Sequence, residues 1–272
     1  MKNNCKKMLT ALLLAGAFFF ASTGGFSIKT PAVFTTGVAE SLDVSWELMS
    51  AYTTYFNAND RGRCENIRIA ASLIDGITIQ PYGEFSFNCT VGRRTAEAGF
   101  QSAKIIVNGE YVRGVGGGVC QVSTTLYNAA LKSGLEAVEF HPHSLCVSYV
   151  PPSRDAMVSS ESDLKLFNPH AFPVRVRTSV FEGGIKIAFW GKNDGYRYEL
   201  SSNILETVPP PPPIVKTGDK DGILREAKDG VKSEMYLECY KGGSLLYKKR
   251  MRRDEYRGIQ AIIAKKIEDR TN

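Results

Sequence analysis

Gly114-Val115-Gly116-Gly117-Gly118-Val119-Cys120-Gln121 is a glycine-rich turn that runs straight into a helical periodicity. Beyond Cys120 the apolar positions Val122, Leu126, Ala129 and Ala130 recur at i, i+4, i+7 and i+8, which predicts one buried stripe of an amphipathic helix. Gly134 is the stop signal, with Leu135 placed to pack back on the last turn. Cys120 therefore falls at a helix N-terminus, where unpaired N–H groups and the helix dipole favour an anion such as a thiolate. The glycines reach φ > 0 and admit another backbone, or a substrate, at close range.

Upstream, Lys104–Val107 and Glu110–Arg113 flank Asn108-Gly109, a two-residue hairpin signal that feeds the glycine turn. Downstream, Ala137–Phe140, Lys165–Phe167, Val174–Phe181 and Ile185–Trp190 read as strands, the last two joined at Glu182-Gly183-Gly184. Nearer the start, Ser41–Phe56 reads as a helix capped by Ser41, with Leu42, Val44, Leu48, Met49 and Tyr52 inward. Cys64–Asp75 reads as a second helix, with Ile67, Ile69, Ala70, Leu73 and Ile74 apolar, and Glu84–Asn88 as a short strand. The expected class is α+β: N-terminal helices, a cysteine-bearing helix packed on a mostly antiparallel sheet, then a small β-rich appendage.

Composition bounds the rest. At 43% hydrophobic and 10% aromatic, the 272 residues are globular rather than disordered and suffice for one good-sized domain plus a small one. Residues 1–24 read as a signal peptide, with Lys2, Lys6 and Lys7 before the apolar run Met8–Ala21 and small residues after it; an uncleaved membrane anchor is the alternative. Without those three lysines the formal charge of +6 falls to +3, so nothing demands nucleic acid. Five consecutive prolines, Pro209–Pro213, form a stiff extended spacer. The expected domains are thus 40–200, a linker at 208–214, and a β-rich module at 215–272 containing the strands Ser233–Tyr240 and Ser244–Arg250. The location is extracytoplasmic, which permits disulfides among Cys64, Cys89, Cys120, Cys146 and Cys239. Two bridges with Cys120 free, or five free thiols, both fit that odd count.

His141 and His143 end a strand just after the Cys120 helix, the Cys–His order of thiol acyl transfer. Asp155, Asp163 and Asn168 are the candidates for orienting the imidazole. The Cys120 N–H and the Gln121 side chain are candidate oxyanion donors. The opposed reading makes Cys120 a small packed residue and His141-Pro142-His143 a turn. A metal held by Cys120, His141 and His143 lacks a second cysteine pair in register, and neither a metal nor another cofactor is expected. Arg93-Arg94 suits a carboxylate or phosphate, or a salt bridge within its own loop. The basic run Lys248–Arg253 suits an anionic polymer or a charged strand edge.

Together these segments resemble the VanW family. The resemblance rests on Tyr52-Thr-Thr-Tyr-Phe56, Asn66-Ile-Arg-Ile-Ala-Ala71, Gly83-Glu-Phe-Ser-Phe-Asn88, Val91-Gly92-Arg93-Arg94-Thr95, Gly116-Gly-Gly-Val-Cys-Gln-Val-Ser-Thr-Thr-Leu-Tyr-Asn128, His143-Ser144, Ser148-Tyr-Val-Pro-Pro152, Arg154-Asp-Ala-Met-Val158 and Asp163-Leu-Lys165. It covers about residues 45–190; the region after the prolines is loosely similar to a G-five-type β module. The family is named from glycopeptide (vancomycin) resistance clusters, so the resemblance implies a secreted cell-envelope protein, with cell-wall peptide or a peptidoglycan precursor as partner. It implies Cys120, His143 and Asp155 as a catalytic set, favouring His143 over His141, with Arg94, Gly117, Gly118, Gln121 and Arg154 around the substrate. Arg94 or Arg154 would hold a substrate carboxylate. The alternative is a non-catalytic wall-binding or scaffold protein with Cys120 structural.

Overall fold

The computed structural model describes residues 45–107 and 109–266. The signal segment 1–24, Ser41, Leu42 and Val44 of the expected first helix, and Asn108 lie outside the described residues.

The first element is a strand, β1 (Glu47–Tyr55), where a helix over 41–56 was expected. Tyr52-Thr53-Thr54-Tyr55 is aromatic and β-branched, a composition that favours a strand. Its alternation is hidden because two inward positions are polar: Ser50 Oγ donates to the Ala129 carbonyl at 2.6 Å, and Thr54 Oγ1 meets Thr125 Oγ1 at 2.7 Å. Helix α1 (Arg61–Ile74) follows as its periodicity requires, capped by the Asp60 side chain, with Ile67, Ala70, Ala71 and Ile74 buried; Leu73 faces out. After β2 (Thr78–Ile79), strand β3 (Glu84–Ser86) gives way at Ser86 to a short helix α2 (Phe87–Val91), capped by the Ser86 hydroxyl. The hairpin β4 (Ser102–Val107) and β5 (Glu110–Val115) closes with Val107 opposite Glu110, as the Asn-Gly signal predicts.

Helix α3 (Val119–Lys132) is the centre of the molecule. It ends in a Schellman arrangement: Leu135 N–H donates to the Ala130 carbonyl (3.1 Å) and Gly134 N–H to that of Leu131 (3.2 Å). One buried stripe was expected, yet every residue of α3 except Cys120 and Lys132 is buried. Its glutamine, serine, threonine and asparagine side chains are paired inward, as burial demands, while the buried Tyr127 hydroxyl lacks a hydrogen-bond partner among the described residues. Thr125 Oγ1 donates to Gln121 O, Ser123 Oγ to Ala156 O, and Asn128 Nδ2 to Thr124 O and Arg154 O.

The remaining strands are β6 (Glu136–Glu139), β7 (Lys165–Phe167), β8 (Val174–Phe181), β9 (Gly184–Gly191), β10 (Tyr196–Val208), β11 (Ile214–Gly218), β12 (Gly222–Arg225), β13 (Gly230–Lys241), β14 (Ser244–Tyr256) and β15 (Ile262–Lys266). The α+β description holds in outline, but with strand in the majority and several small sheets instead of one. Their orders are β1-β9-β8-β2, β3-β7-β6, β10-β13-β14 and β11-β15-β12, beside the β4-β5 hairpin. All pairings are antiparallel except β11 with β15.

The prolines do not divide the chain into separately packed bodies. β10, before them, pairs along its length with β13, after them, and packs on α3. Met235 and Leu237 of β13 share one core with Leu126 and Phe189. β10 is hidden in the sequence because Ser201-Ser202-Asn203 interrupts its apolar alternation; its strand state comes from β13. The basic run lies on β14, at the edge of its sheet, with Lys248 against Glu238 (2.8 Å) and Arg250 against Glu234 (3.5 Å), so its exposed members form a charge-protected edge, while Arg252 turns inward.

At the end of β6, Glu139 accepts from Lys165 Nζ (2.7 Å) and from the Asp163 N–H (3.0 Å), and meets His141 Nε2 at 3.1 Å. The Lys165 bond above all, aided by His141 and Asp163 against partial desolvation, holds its carboxyl at about 2. Such a depressed value adds stability that is present above the unfolded pKa and lost as pH falls through the folded one. Glu139→Gln is therefore expected to be modestly less stable than the parent in urea melts at pH 7. The gap should close as pH is lowered from about 4.5 toward 2. A gap that persists at pH 2 would assign it to packing rather than charge.

Candidate functional site

The glycine turn places Cys120 in the first turn of α3 by close packing on two other elements. A Cβ at Gly117 would stand 2.6 Å from the Lys104 carbonyl oxygen and 2.9 Å from Ala103. Gly118 has φ +109 and packs on Arg63 and Ile67 of α1. Buried Asn66 ties α1 to the turn, donating to the Gly117 and Gln101 carbonyls at 2.9 Å each. These two glycines therefore admit protein backbone, where a substrate contact was expected.

Cys120 Sγ lies 3.3 Å from the Val158 carbonyl oxygen, with the His143 ring as its titrating neighbour. His143 Nδ1 meets Asp155 Oδ2 at 2.7 Å, which leaves Nε2 for the sulfur; the same Oδ2 accepts the His143 backbone N–H at 2.7 Å. Asp155 is buried, and its Oδ1 accepts the Tyr256 hydroxyl. Of the three groups weighed for orienting the imidazole, only Asp155 does so. Asp163 caps α2 through the Asn88 N–H and the Ser86 hydroxyl. Asn168 donates to the carbonyls of Ile79, Gln80 and Phe172. His141 turns to Glu139, and His170 stacks on Phe172.

The charges interlock. Burial alone would raise the Cys120 thiol, but the His143 hydrogen bond and charge, with the Arg94 charge behind them, bring it below a free thiol's value. Burial alone would lower His143, but its bonds to Asp155 and Cys120 push it up to about 9. Burial opposes ionisation of Asp155 too, and His143 and Tyr256 more than offset that. The triad thus moves the Cys120 proton toward His143 relative to a free thiol and a free imidazole, with Asp155 held ionised beside the ring. The helix tip contributes less than the sequence suggests, since the Val119 and Gln121 N–H groups donate to the Gly116 and Gly118 carbonyls.

The other expected residues divide. Arg94 stands near the sulfur, its guanidinium donating to Asn88 Oδ1 at 2.6 Å. Gln121 is fully engaged elsewhere: Oε1 accepts from Arg63 Nη2 (2.7 Å), and Nε2 donates to Thr54 Oγ1 and the Tyr55 carbonyl. It splices α1, β1 and α3 and has no donor left for an oxyanion. Arg154 lies over the Tyr52 ring and donates to Asn128 Oδ1, a different cluster from the one around the sulfur.

Residues 62–190 match the family described as VanW like protein. This segment of the chain is VanW-like. The uncharacterized protein YoaR of Bacillus subtilis (strain 168) is 41% identical over 151 residues, 55% of this chain and 50% of YoaR. The chain thus spans about half the length of the curated relative it matches. A solved structure, the crystal structure of HP0197-G5, aligns with 26% of this chain and 96% of its own at 17% identity and a TM-score of 0.16, which carries no argument. All three triad residues fall inside the VanW segment. Tyr256, Arg252 and the Ser153 turn that meet the triad are not legible in the sequence; the Arg252-x-Asp254-x-Tyr256 alternation at the end of β14 is their one visible trace.

Cys64, Cys120, Cys146 and Cys239 are free thiols, so no bridge joins any two of these four. A cavity of about 370 Å³ lies between the start of α1 and the β8–β9 turn, lined by Phe56, Cys64, Arg68 and Phe181 among others, away from Cys120.

Proposed function

We propose that this VanW-like protein is a thiol acyl-transfer enzyme with Cys120 as nucleophile. The reading is carried by the 2.7 Å His143–Asp155 bond behind the Cys120 thiol, which the imidazole holds below its ordinary value. The Cys120 thiolate attacks a peptide or amide carbonyl, forming a C–S bond. The imidazolium of His143 then gives its proton to the leaving amine as the C–N bond breaks, leaving a thioester. Water or an amine attacks the thioester, its proton passing to His143, and the thiolate departs. Asp155 holds the ring and stabilises its cationic form throughout. The Cys120 N–H is the nearest candidate for the oxyanion, and Arg94 suits a substrate carboxylate. The family resemblance favours an exported cell-envelope protein acting on peptidoglycan peptide or its precursors. The second reading, a wall-binding scaffold, draws on the partial burial of the sulfur and on a cavity that lies elsewhere.

Alkylation separates the two. Burial and Asp155 push Cys146 up to about 11, burial and Asp60 raise Cys64, and Cys239 is buried. Iodoacetamide at pH 6.5, followed by peptide mass mapping, should therefore label Cys120 first and about tenfold faster than a free peptide thiol. An ordinary thiol is only about 1% ionised there, and the lower nucleophilicity of a stabilised thiolate takes back part of that hundredfold headroom. Labelling of Cys120 no faster than the other cysteines would leave the scaffold.

A further inference from the structure

The line of hydrogen bonds does not stop at Asp155. Along β14, Arg252, Asp254 and Tyr256 alternate with Arg253 and Glu255, and the first set turns inward. Tyr256 is 1% exposed, and its hydroxyl donates to Asp155 Oδ1 while accepting the Ser153 N–H at 2.8 Å. Arg252, 8% exposed, donates through Nη1 to the Asp155 carbonyl at 2.7 Å and is held by both carboxylate oxygens of Asp254 at 2.6 and 2.9 Å. Two more bonds come from the same sheet. Ser153 Oγ meets Ser233 Oγ of β13 at 2.7 Å, and the Arg257 N–H donates to the carbonyl of Ser144, next to His143.

The backbone of this loop also needs outside support. Ser153 has φ +62, a left-handed conformation uncommon for a residue other than glycine, and it is fully buried. Its N–H and its hydroxyl are both taken by residues of the C-terminal sheet. Asp155 follows two residues later. Each of these C-terminal groups lies beyond residue 190, where the family match ends.

We propose that Tyr256 is a positioning residue for Asp155, assisted by Arg252, so that the C-terminal sheet completes the Cys120 centre. The inference rests on the acyl-transfer reading for its purpose but on separate geometry for its content. Tyr256 acts through Asp155 and touches no reacting atom. Burial and the neighbouring Asp155 charge hold its hydroxyl protonated well above the ordinary range, so it stays a donor at every working pH. It fixes which carboxylate oxygen faces the imidazole and stabilises the ionised carboxylate, as outer partners of a triad do.

The test uses the full chain in two arms. In the first, Tyr256→Phe removes one oxygen and keeps the ring. The rate of Cys120 alkylation at pH 6.5 is expected to fall three- to tenfold, with the acid limb of the pH–rate profile moved to higher pH and the rate at pH 10 unchanged. In the second arm Cys120→Ala removes the thiol, and the His143 ring is titrated by NMR with and without Tyr256→Phe. The His143 midpoint is expected to drop by at least half a unit when the hydroxyl is lost. This arm does not depend on Cys120 reactivity, so a parent protein with an ordinary thiol would sink the acyl-transfer reading and leave the Tyr256 result standing. Should Tyr256→Phe fail to fold, Tyr256→3,5-difluorotyrosine, a stronger donor of nearly the same shape, should move the acid limb to lower pH. Unchanged His143 midpoints and superimposable pH–rate profiles would overturn the proposal.

Discussion

Asp155→Asn should remove most of the reactivity of Cys120 near neutrality while leaving the fold in place. The amide is isosteric but keeps only one oxygen. Either the Tyr256 hydroxyl keeps its acceptor and an NH₂ group faces the two His143 N–H donors, or an uncharged oxygen faces His143 and the NH₂ group meets the Tyr256 hydroxyl. The His143 imidazolium loses its buried counter-charge at Nδ1, where the 2.7 Å bond stood. Its pKa then falls from about 9 toward the range set by burial, which disfavours the cation. With the cation goes the main group holding the thiol below its ordinary value. The expected result is a loss of about tenfold or more in Cys120 alkylation at pH 6.5, recovered above pH 9 as the thiol ionises unaided. If a turnover assay is found, the loss should be larger, about 10³- to 10⁴-fold, because a misoriented tautomer fails in both proton transfers. A variant that alkylates at the parent rate across pH 6–8 would mean that Asp155 is only a scaffold for the 143–155 loop.

The second large effect falls on stability. Gly118→Ala asks an alanine to hold φ +109, and its Cβ would lie 3.0 to 3.1 Å from Arg63 and Ile67 in α1. The conformational penalty and the overpacking are each about 1–3 kcal/mol, for a combined cost of about 3 kcal/mol. For a domain of this size that lowers Tm by about 10 °C. The damage should be visible at the site as well, because the same turn carries Cys120 into α3. The alkylation preference for Cys120 over Cys64 should shrink even where the variant is fully folded by circular dichroism. An unchanged Tm would show that α1 can retreat from the turn at no cost, contrary to the packing of Asn66 on the Gly117 carbonyl.

How far the sequence carries is uneven, for reasons that differ by element. The hairpin and the C-terminal stop of α3 depend on local chemistry, an Asn-Gly pair and a glycine–leucine cap, and both are legible. Strand β1 reads as a helix because its inward positions, Ser50 and Thr54, are polar and become interior only once α3 supplies Ala129 and Thr125 as partners. Gln121 looks like an oxyanion donor for the same reason. Nothing near it in the chain reveals that Arg63, Thr54 and Tyr55 consume its side chain.

The residues alone mark Cys120 as the place to look, His141 or His143 as its partner and Asp155 as one candidate third, and the VanW resemblance favours His143. Each lies in a short segment whose type and order constrain chemistry by themselves. Folding decides which oxygen of which carboxylate holds the imidazole, and it brings Tyr256 and Arg252 to that carboxylate across a polyproline segment. Such contacts arise from strand register between distant stretches of the chain, here β10 on β13 and β13 on β14. A register is set by the packing of whole faces, and no local run of side chains encodes it.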